Sequence, residues 1–318
     1  MHVGGPNGDI FVWHKALTAA AKAAGRARPL FINNCHNSVQ GKDPTNDSAV
    51  SFPAVTDLVP FMHEDEVNMT GDQLLVCPMH SWRVSHDNNP DFHSLMAVLQ
   101  STLPFASLWA PVSRPGCWPD PDMLQIHGMR HDMAGARSHV SAWAIASAPL
   151  VVSFDLTDTP LLESMWPLIS NPRVLEINSA WAGHPGTLIA QSSMPPSNGS
   201  GVNPHGNRHE RLRTQWQLWG KPLPGGRVAA LAINFDGYLR LNVTFSFAQF
   251  PAQWWGASRA PVAVKALDVW TGVVVESADG ASGGEGWWQT ATLDPHACQM
   301  LILEPAVSSK QKRTKASV

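Results

Sequence analysis

The chain has 318 residues, 44% of them hydrophobic and only 15% charged, which supplies a large core and excludes a disordered protein. Its 22 basic and 25 acidic side chains leave a formal charge of -3, which argues against a nucleic-acid or polyanion partner recruited by bulk charge. The longest apolar run, residues 142–154, is broken by serines and by Pro149 and falls short of the ~20 residues a spanning helix needs, so no membrane partner is expected.

Taken in chain order, residues 1–187 alternate short apolar strands with helical stretches, the pattern of a parallel sheet with helices outside. An alanine-rich helix at 13–24 leads into a buried strand at 30–34 that ends in polar groups. Further strands are expected at 81–85, near 116–123 and at 150–152. Between them, 92–103 carries helical spacing through Leu95, Val98 and Leu99, and a helix from Met133 places Ala136, Val140, Trp143 and Ala144 on one face until Pro149 stops it. Asp158 or Thr159 caps a last helix with Pro160 in its first turn.

After about residue 190 the texture changes. Glycine, serine and proline at 192–206 read as a linker or long loop, and alternating strand-like runs follow at 214–219, 227–235, 239–247, 262–270, 272–276, 287–293 and 300–303. The turn at 222–226 makes the first two a hairpin. The fold class is therefore α/β plus all-β. Residues 1–187 form the parallel unit, 188–306 an antiparallel β-sandwich, and 307–318 a basic, disordered tail.

Cys35, Cys77, Cys117 and Cys298 are too few and too scattered for a disulfide-built scaffold, and no Cys/His spacing fits a metal; no cofactor is expected. Sequons at Asn46, Asn68, Asn198 and Asn242 fit a secreted or vacuolar glycoprotein, and they also fit chance occurrence in this composition. No leader-like segment precedes residue 30, which leaves a cytosolic protein or one whose true N-terminus lies upstream. The chain holds 14 Trp against one Tyr. Such rings either stack on sugar faces or pack in the core; Trp82 and Trp118 are the two expected near a sugar.

Polar side chains stand just beyond the strand ends, where a barrel of alternating strands and helices keeps its active site. Three places qualify: Asn34-Cys35-His36-Asn37, Ser81 to Asp87, and Gly116 to Met123. An Arg and an Asp four residues apart at one strand end, beside two closely spaced carboxylates at the next, suit a polyhydroxylated substrate, because carboxylates accept paired hydrogen bonds from vicinal hydroxyls while Arg orients the ring. The alternative is that Asp120 and Asp122 cap a turn around Pro121.

Five stretches, read together, carry a resemblance: Trp82-Arg83-(x3)-Asp87; Pro115-Gly116-Cys117-Trp118-Pro119-Asp120-Pro121-Asp122-Met123-Leu124; residues 142–150; Asp155-Leu156; and Val174-Leu175-Glu176-Ile177-Asn178. Their order and spacing resemble glycoside hydrolase family 27, the α-galactosidase or melibiase family. The resemblance implies a (β/α)8 barrel, of which residues 1–187 are the C-terminal half, followed by the sandwich. It implies a retaining glycosidase acting on terminal α-D-galactosyl residues, with two carboxyls about 5 to 5.5 Å apart. Asp87 matches the acid/base, Arg83 the substrate-binding arginine, and Asp122 and Met123 residues lining the galactose pocket, with Asp120 beside them. Cys35 and Cys77 match the places of a disulfide, with two buried thiols as the alternative.

The sequence also departs from the family. The nucleophile motif Lys-x-Asp-x-Cys precedes the first helix in relatives, whereas residues 1–5 here match no part of it, and Asp9 lies past that strand. No nucleophile is assigned. A barrel takes about 250 residues and eight strands, so the chain is expected to be a truncated form. His36 stands where α-galactosidases carry Glu and favours galactose over an acetamido sugar, while Pro119 replaces an Asn. The segment 38–71 is a solvated loop or a lid. A non-catalytic galactose-binding protein is the rival reading, followed by α-N-acetylgalactosaminidase or β-L-arabinopyranosidase specificity. A homodimer is compatible with all of these.

Overall fold

The computed structural model describes residues 16, 19–20, 23–25, 33–34, 81–85, 87–109, 111, 113–116, 118–197, 212–276 and 285–306. Three short strands run parallel and side by side in chain order: β1 (Asn33–Asn34), β2 (Ser81–Arg83) and β3 (Trp118–Asp120). Ser81 pairs with Asn33 on one side and Trp118 on the other, and Arg83 stands opposite Asp120. A parallel bridge between Leu124 and Val152 continues the series, so the stretch expected as a fourth strand enters the sheet through one bridge.

Among the described residues, four unbroken helices accompany these strands: α1 (Phe92–Gln100), α2 (Met133–Ile145), α3 (Thr159–Ile169) and α4 (Pro172–Ser179). Each starts where a short polar side chain accepts a backbone N–H that the first turn leaves free. Asp91 accepts from Ser94, Asp132 from Gly135, Asp158 from Leu161, and Asn171 from Arg173 and Val174. Helix α4 was not expected from periodicity, since it spans only about two turns; its Asn171-Pro172 start is the signal the sequence offers.

Helix α2 ends four residues before Pro149. Ser147 takes a left-handed φ of 56°, Ala148 N–H returns to the Trp143 carbonyl at 3.0 Å and Ser147 N–H to that of Ala144 at 3.2 Å, which satisfies the last carbonyls. This helix is almost wholly buried, from Gly135 and Ala136 through Ser138 to Ile145. One apolar face was expected. Burial all round follows because α1, α4 and the second sheet all pack against it.

The second sheet has six antiparallel strands in the order β4 (Thr187–Gln191), β5 (Trp216–Leu223), β6 (Arg227–Asn234), β11 (Cys298–Pro305), β8 (Val264–Asp268), β9 (Val274–Glu276). A separate ribbon pairs β7 (Thr244–Ser246) with β10 (Trp287–Gln289). Strand β4 lies where the sequence showed no element. It joins β5 with a register shift between Leu188 and Ala190.

Strands β5 and β6 are buried at every position after the first, without alternation. The reason is that both faces of the sheet are covered. Trp219, Leu231, Ile233, Met300 and Ile302 join Trp143, Ile145 and Ile177 in one core, while Leu218, Val228, Ala230, Leu301 and Leu303 join Phe245, Phe247, Phe250 and the two tryptophans Trp254 and Trp255 in another. Each such large apolar side chain contributes about 1.5–3 kcal/mol by leaving water. Lys221 of β5 is fully buried, and its ammonium donates to the carbonyls of Ile177 and Asn178 at the end of α4. Burial pushes its pKa down to about 7.

Candidate active site

The parallel register of β2 and β3 brings their two C-terminal ends level. Val84, one residue past the last pairing of β2, donates its N–H to the Asp120 carbonyl at 3.0 Å. The chain beyond β2 presents Asp87 and Asn88, and the chain beyond β3 presents Asp122 and Met123. Parallel strands collect polar residues at this end because every strand points the same way.

Arg83 ties the two segments together. Its Nη2 lies 2.9 Å from Asp87 Oδ1 and 2.9 Å from Asp122 Oδ2. The arginine and Asp122 are buried, whereas the Asp87 side chain is 97% exposed, so the pair joins an immobilised cation to a carboxyl that a solute can reach. Arg83 Nε is buried without a hydrogen-bond partner among the described residues, and so is Asn88 Oδ1. Such buried polar atoms are uncommon, since the great majority in folded proteins are paired.

Asp122 has a φ of 87°, a conformation that costs a side-chain-bearing residue on the order of 1–3 kcal/mol and persists only where its surroundings enforce it. Several bonds do so here. Asp122 Oδ2 accepts from Arg83 and from Asn88 N–H at 2.9 Å, and Oδ1 from Met123 N–H at 2.8 Å. Asp120 Oδ1 accepts from Asp122 N–H at 2.8 Å, so Asp120 does cap the turn around Pro121. Asn88 Nδ2 donates to the Met123 carbonyl at 2.8 Å, and the Met123 side chain is left at the surface.

The sequence-expected residues Arg83, Asp87, Asp120, Asp122 and Met123 thus meet in one place. Trp118 stands at the start of β3, two residues before Asp120, with its ring packed edge-on against Trp181 at 5.9 Å. The backbone of Trp82 lies in β2. His36, Cys35 and Cys77 lie outside the described residues, as do Asp9 and segment 38–71. Asn88 was missed; only its place directly after Asp87 marks it, because its decisive bond is made by its backbone. Among the described residues no group of three or more His, Cys, Asp or Glu is placed to hold a metal. No helix among them is long and apolar enough to cross a membrane.

Residues 59–180 match the family model described as Melibiase_2, alpha galactosidase A, and residues 213–303 the alpha galactosidase C-terminal beta sandwich domain. The chain belongs to glycoside hydrolase family 27, the melibiase family. Its fold is part of that family's (β/α)8 barrel followed by a β-sandwich. Alpha-galactosidase 2 of Arabidopsis thaliana is 25% identical over 70% of this chain and 46% of its own length, and the alpha-galactosidase of Lachancea cidri is 30% identical over 73% and 44%. The chain spans less than half the length of these curated relatives. Among solved structures, the Saccharomyces cerevisiae alpha-galactosidase aligns with a TM-score of 0.61 at 16% identity, covering 95% of this chain and 69% of that one. Alpha-galactosidase I of Mortierella vinacea aligns at 0.58 and 16%, covering 96% and 66%.

Proposed function

We propose that this melibiase-family chain contributes the acid/base side of a retaining α-galactosidase, with Asp87 as the proton donor and Arg83, Asp122 and Met123 holding the galactosyl group. The observation that carries the reading is the single Arg83 nitrogen shared between exposed Asp87 and buried Asp122 at 2.9 Å each. In the first half-reaction the Asp87 carboxyl gives its proton to the glycosidic oxygen as the bond to the anomeric carbon breaks. In the second it takes a proton from the attacking water. Arg83 holds the carboxyl over the bond through both steps, and buried Asp122 fixes Arg83. The anomeric carbon also needs a carboxylate on its opposite face, and no residue of this chain is assigned that role.

The domain division follows the same reading: 1–187 as barrel, 188–306 as sandwich, 307–318 as tail. The substrate class is a terminal α-galactoside such as raffinose, with which the yeast enzyme was crystallised. A secreted or vacuolar setting accords with the sequons.

The test compares two substrates. Supplied with the opposite-face carboxylate that this chain leaves unassigned, the wild-type protein is expected to release galactose from raffinose and p-nitrophenol from p-nitrophenyl α-D-galactoside. Asp87→Asn should slow raffinose hydrolysis by about 10²–10⁴-fold and the aryl galactoside far less, because p-nitrophenolate leaves without a proton. Equal losses on both substrates remove Asp87 from the acid/base role. Galactose binding without any turnover by the wild type supports the rival, non-catalytic reading instead.

A further inference from the structure

Helix α2 reaches the turn that carries Asp122 with two side chains one helical turn apart. The indole N–H of Trp143 donates to the Asp122 carbonyl at 2.7 Å, and the Gln125 N–H donates to His139 Nε2 at 3.1 Å. Both side chains are fully buried, and their rings meet edge to face at 4.1 Å. The two bonds grip the first carbonyl and the last N–H of the segment Asp122–Gln125, which otherwise contains a strained φ at Asp122 and the bridge from Leu124 to Val152.

We propose that Trp143 and His139 are positioning residues for the active site, a template on α2 that holds the Asp122 turn in its left-handed form and so sets Arg83 between Asp122 and Asp87. The chemistry of the two groups suits the task. An indole can only donate and therefore selects a carbonyl. His139 must offer Nε2 as an acceptor, which requires the neutral ring with its proton on Nδ1. Burial keeps the ring neutral by pushing its pKa down to about 3. Without the template, the left-handed Asp122 loses its anchor on the core side while Arg83 still pulls from the other. A shift of about 1 Å in such a residue is enough to cost on the order of 10²-fold in rate.

The inference rests on the α-galactosidase reading only for its kinetic arm. Trp143→Phe keeps an aromatic ring and removes the N–H donor together with the pyrrole part of the indole; His139→Gln keeps an acceptor near Nε2, and His139→Leu removes it. Amide exchange is followed at Asn88, whose N–H is held by Asp122, and at Leu231 in the middle of β6. Trp143→Phe and His139→Leu are expected to speed exchange at Asn88 at least ~10-fold while Leu231 keeps its wild-type rate. They should also lower kcat/KM on p-nitrophenyl α-D-galactoside by about 10–100-fold, mainly through kcat, with His139→Gln restoring both readouts. Equal acceleration at Asn88 and Leu231, or no change at Asn88, overturns the proposal. Should Trp143→Phe fail to fold, the two His139 variants decide alone. Should wild-type protein neither hydrolyse the galactoside nor bind D-galactose, the α-galactosidase reading falls and the exchange arm still decides the positioning role.

Discussion

His296 Nδ1 lies 2.6 Å from Asp132 Oδ2, so a loop of the sandwich closes onto the N-cap of helix α2. The imidazole stacks on Phe92 of α1 with centroids 4.1 Å apart, and its backbone carbonyl accepts from Ser138 Oγ at 2.6 Å. His296 itself has a φ of 60°, held by these contacts. One residue of the second sheet's loops thereby touches both α1 and α2, the helices that flank the candidate active site.

A double-mutant cycle with Asp132→Asn and His296→Gln should give a coupling of about 1–3 kcal/mol in urea unfolding, the range for a partly buried, charge-assisted hydrogen bond. Burial raises the Asp132 carboxyl, but the bond from His296, the Gly135 N–H and the neighbouring His charges outweigh it and leave its pKa below the ordinary 3.8. Its contribution to stability is therefore complete above about pH 4 and disappears as pH falls through the depressed folded value. A coupling indistinguishable from zero at neutral pH removes the pair as a clasp.

His139 makes the acid limb begin earlier. Its folded pKa of about 3 lies below the ordinary 6.5, so the unfolded chain binds a proton that the folded one refuses between those values. The stability it contributes is whole above about pH 6.5 and is lost as pH falls toward 3. His139→Gln keeps the acceptor for Gln125 and does not titrate, so unfolding free energy measured from pH 7 to pH 4 should fall less steeply in the variant than in wild type. Parallel curves refute the assignment.

Gly186 sets how closely α2 approaches β5. Its φ of 102° is open to glycine, and a Cβ there would fall on the carbonyl oxygen of Ile145 and within 3.2 Å of Lys221 Cβ. Gly186→Ala combines backbone strain with a clash against main chain that cannot turn aside, and should cost on the order of 3 kcal/mol in chemical denaturation. A loss below about 0.5 kcal/mol, the size of an ordinary surface change, contradicts this packing.

Local chemistry made much of the fold legible. Asp158 marks a helix start because a cap is made within three residues, and Pro224-Gly225-Gly226 marks a hairpin for the same reason. Strand β4 and helix α4 were harder. Thr187–Gln191 is an edge strand defined by its partner, and α4 is too short for its period to stand out. The alternation expected of β5 and β6 failed because helices cover the face that a free sandwich would show to water.

The same division runs through the candidate active site. Arg83, Asp87 and Asp122 are recognisable from the sequence by itself, since residue types at fixed spacing past two strands already imply carboxylates around a cation. Only the tertiary structure decided that one guanidinium nitrogen serves both acids, that Asp120 is spent on a turn, and that Trp143 and His139 grip the chain around Asp122. Those facts depend on backbone carbonyls and N–H groups brought together from distant segments. Every residue carries such groups, so residue identity alone does not reveal which of them meet.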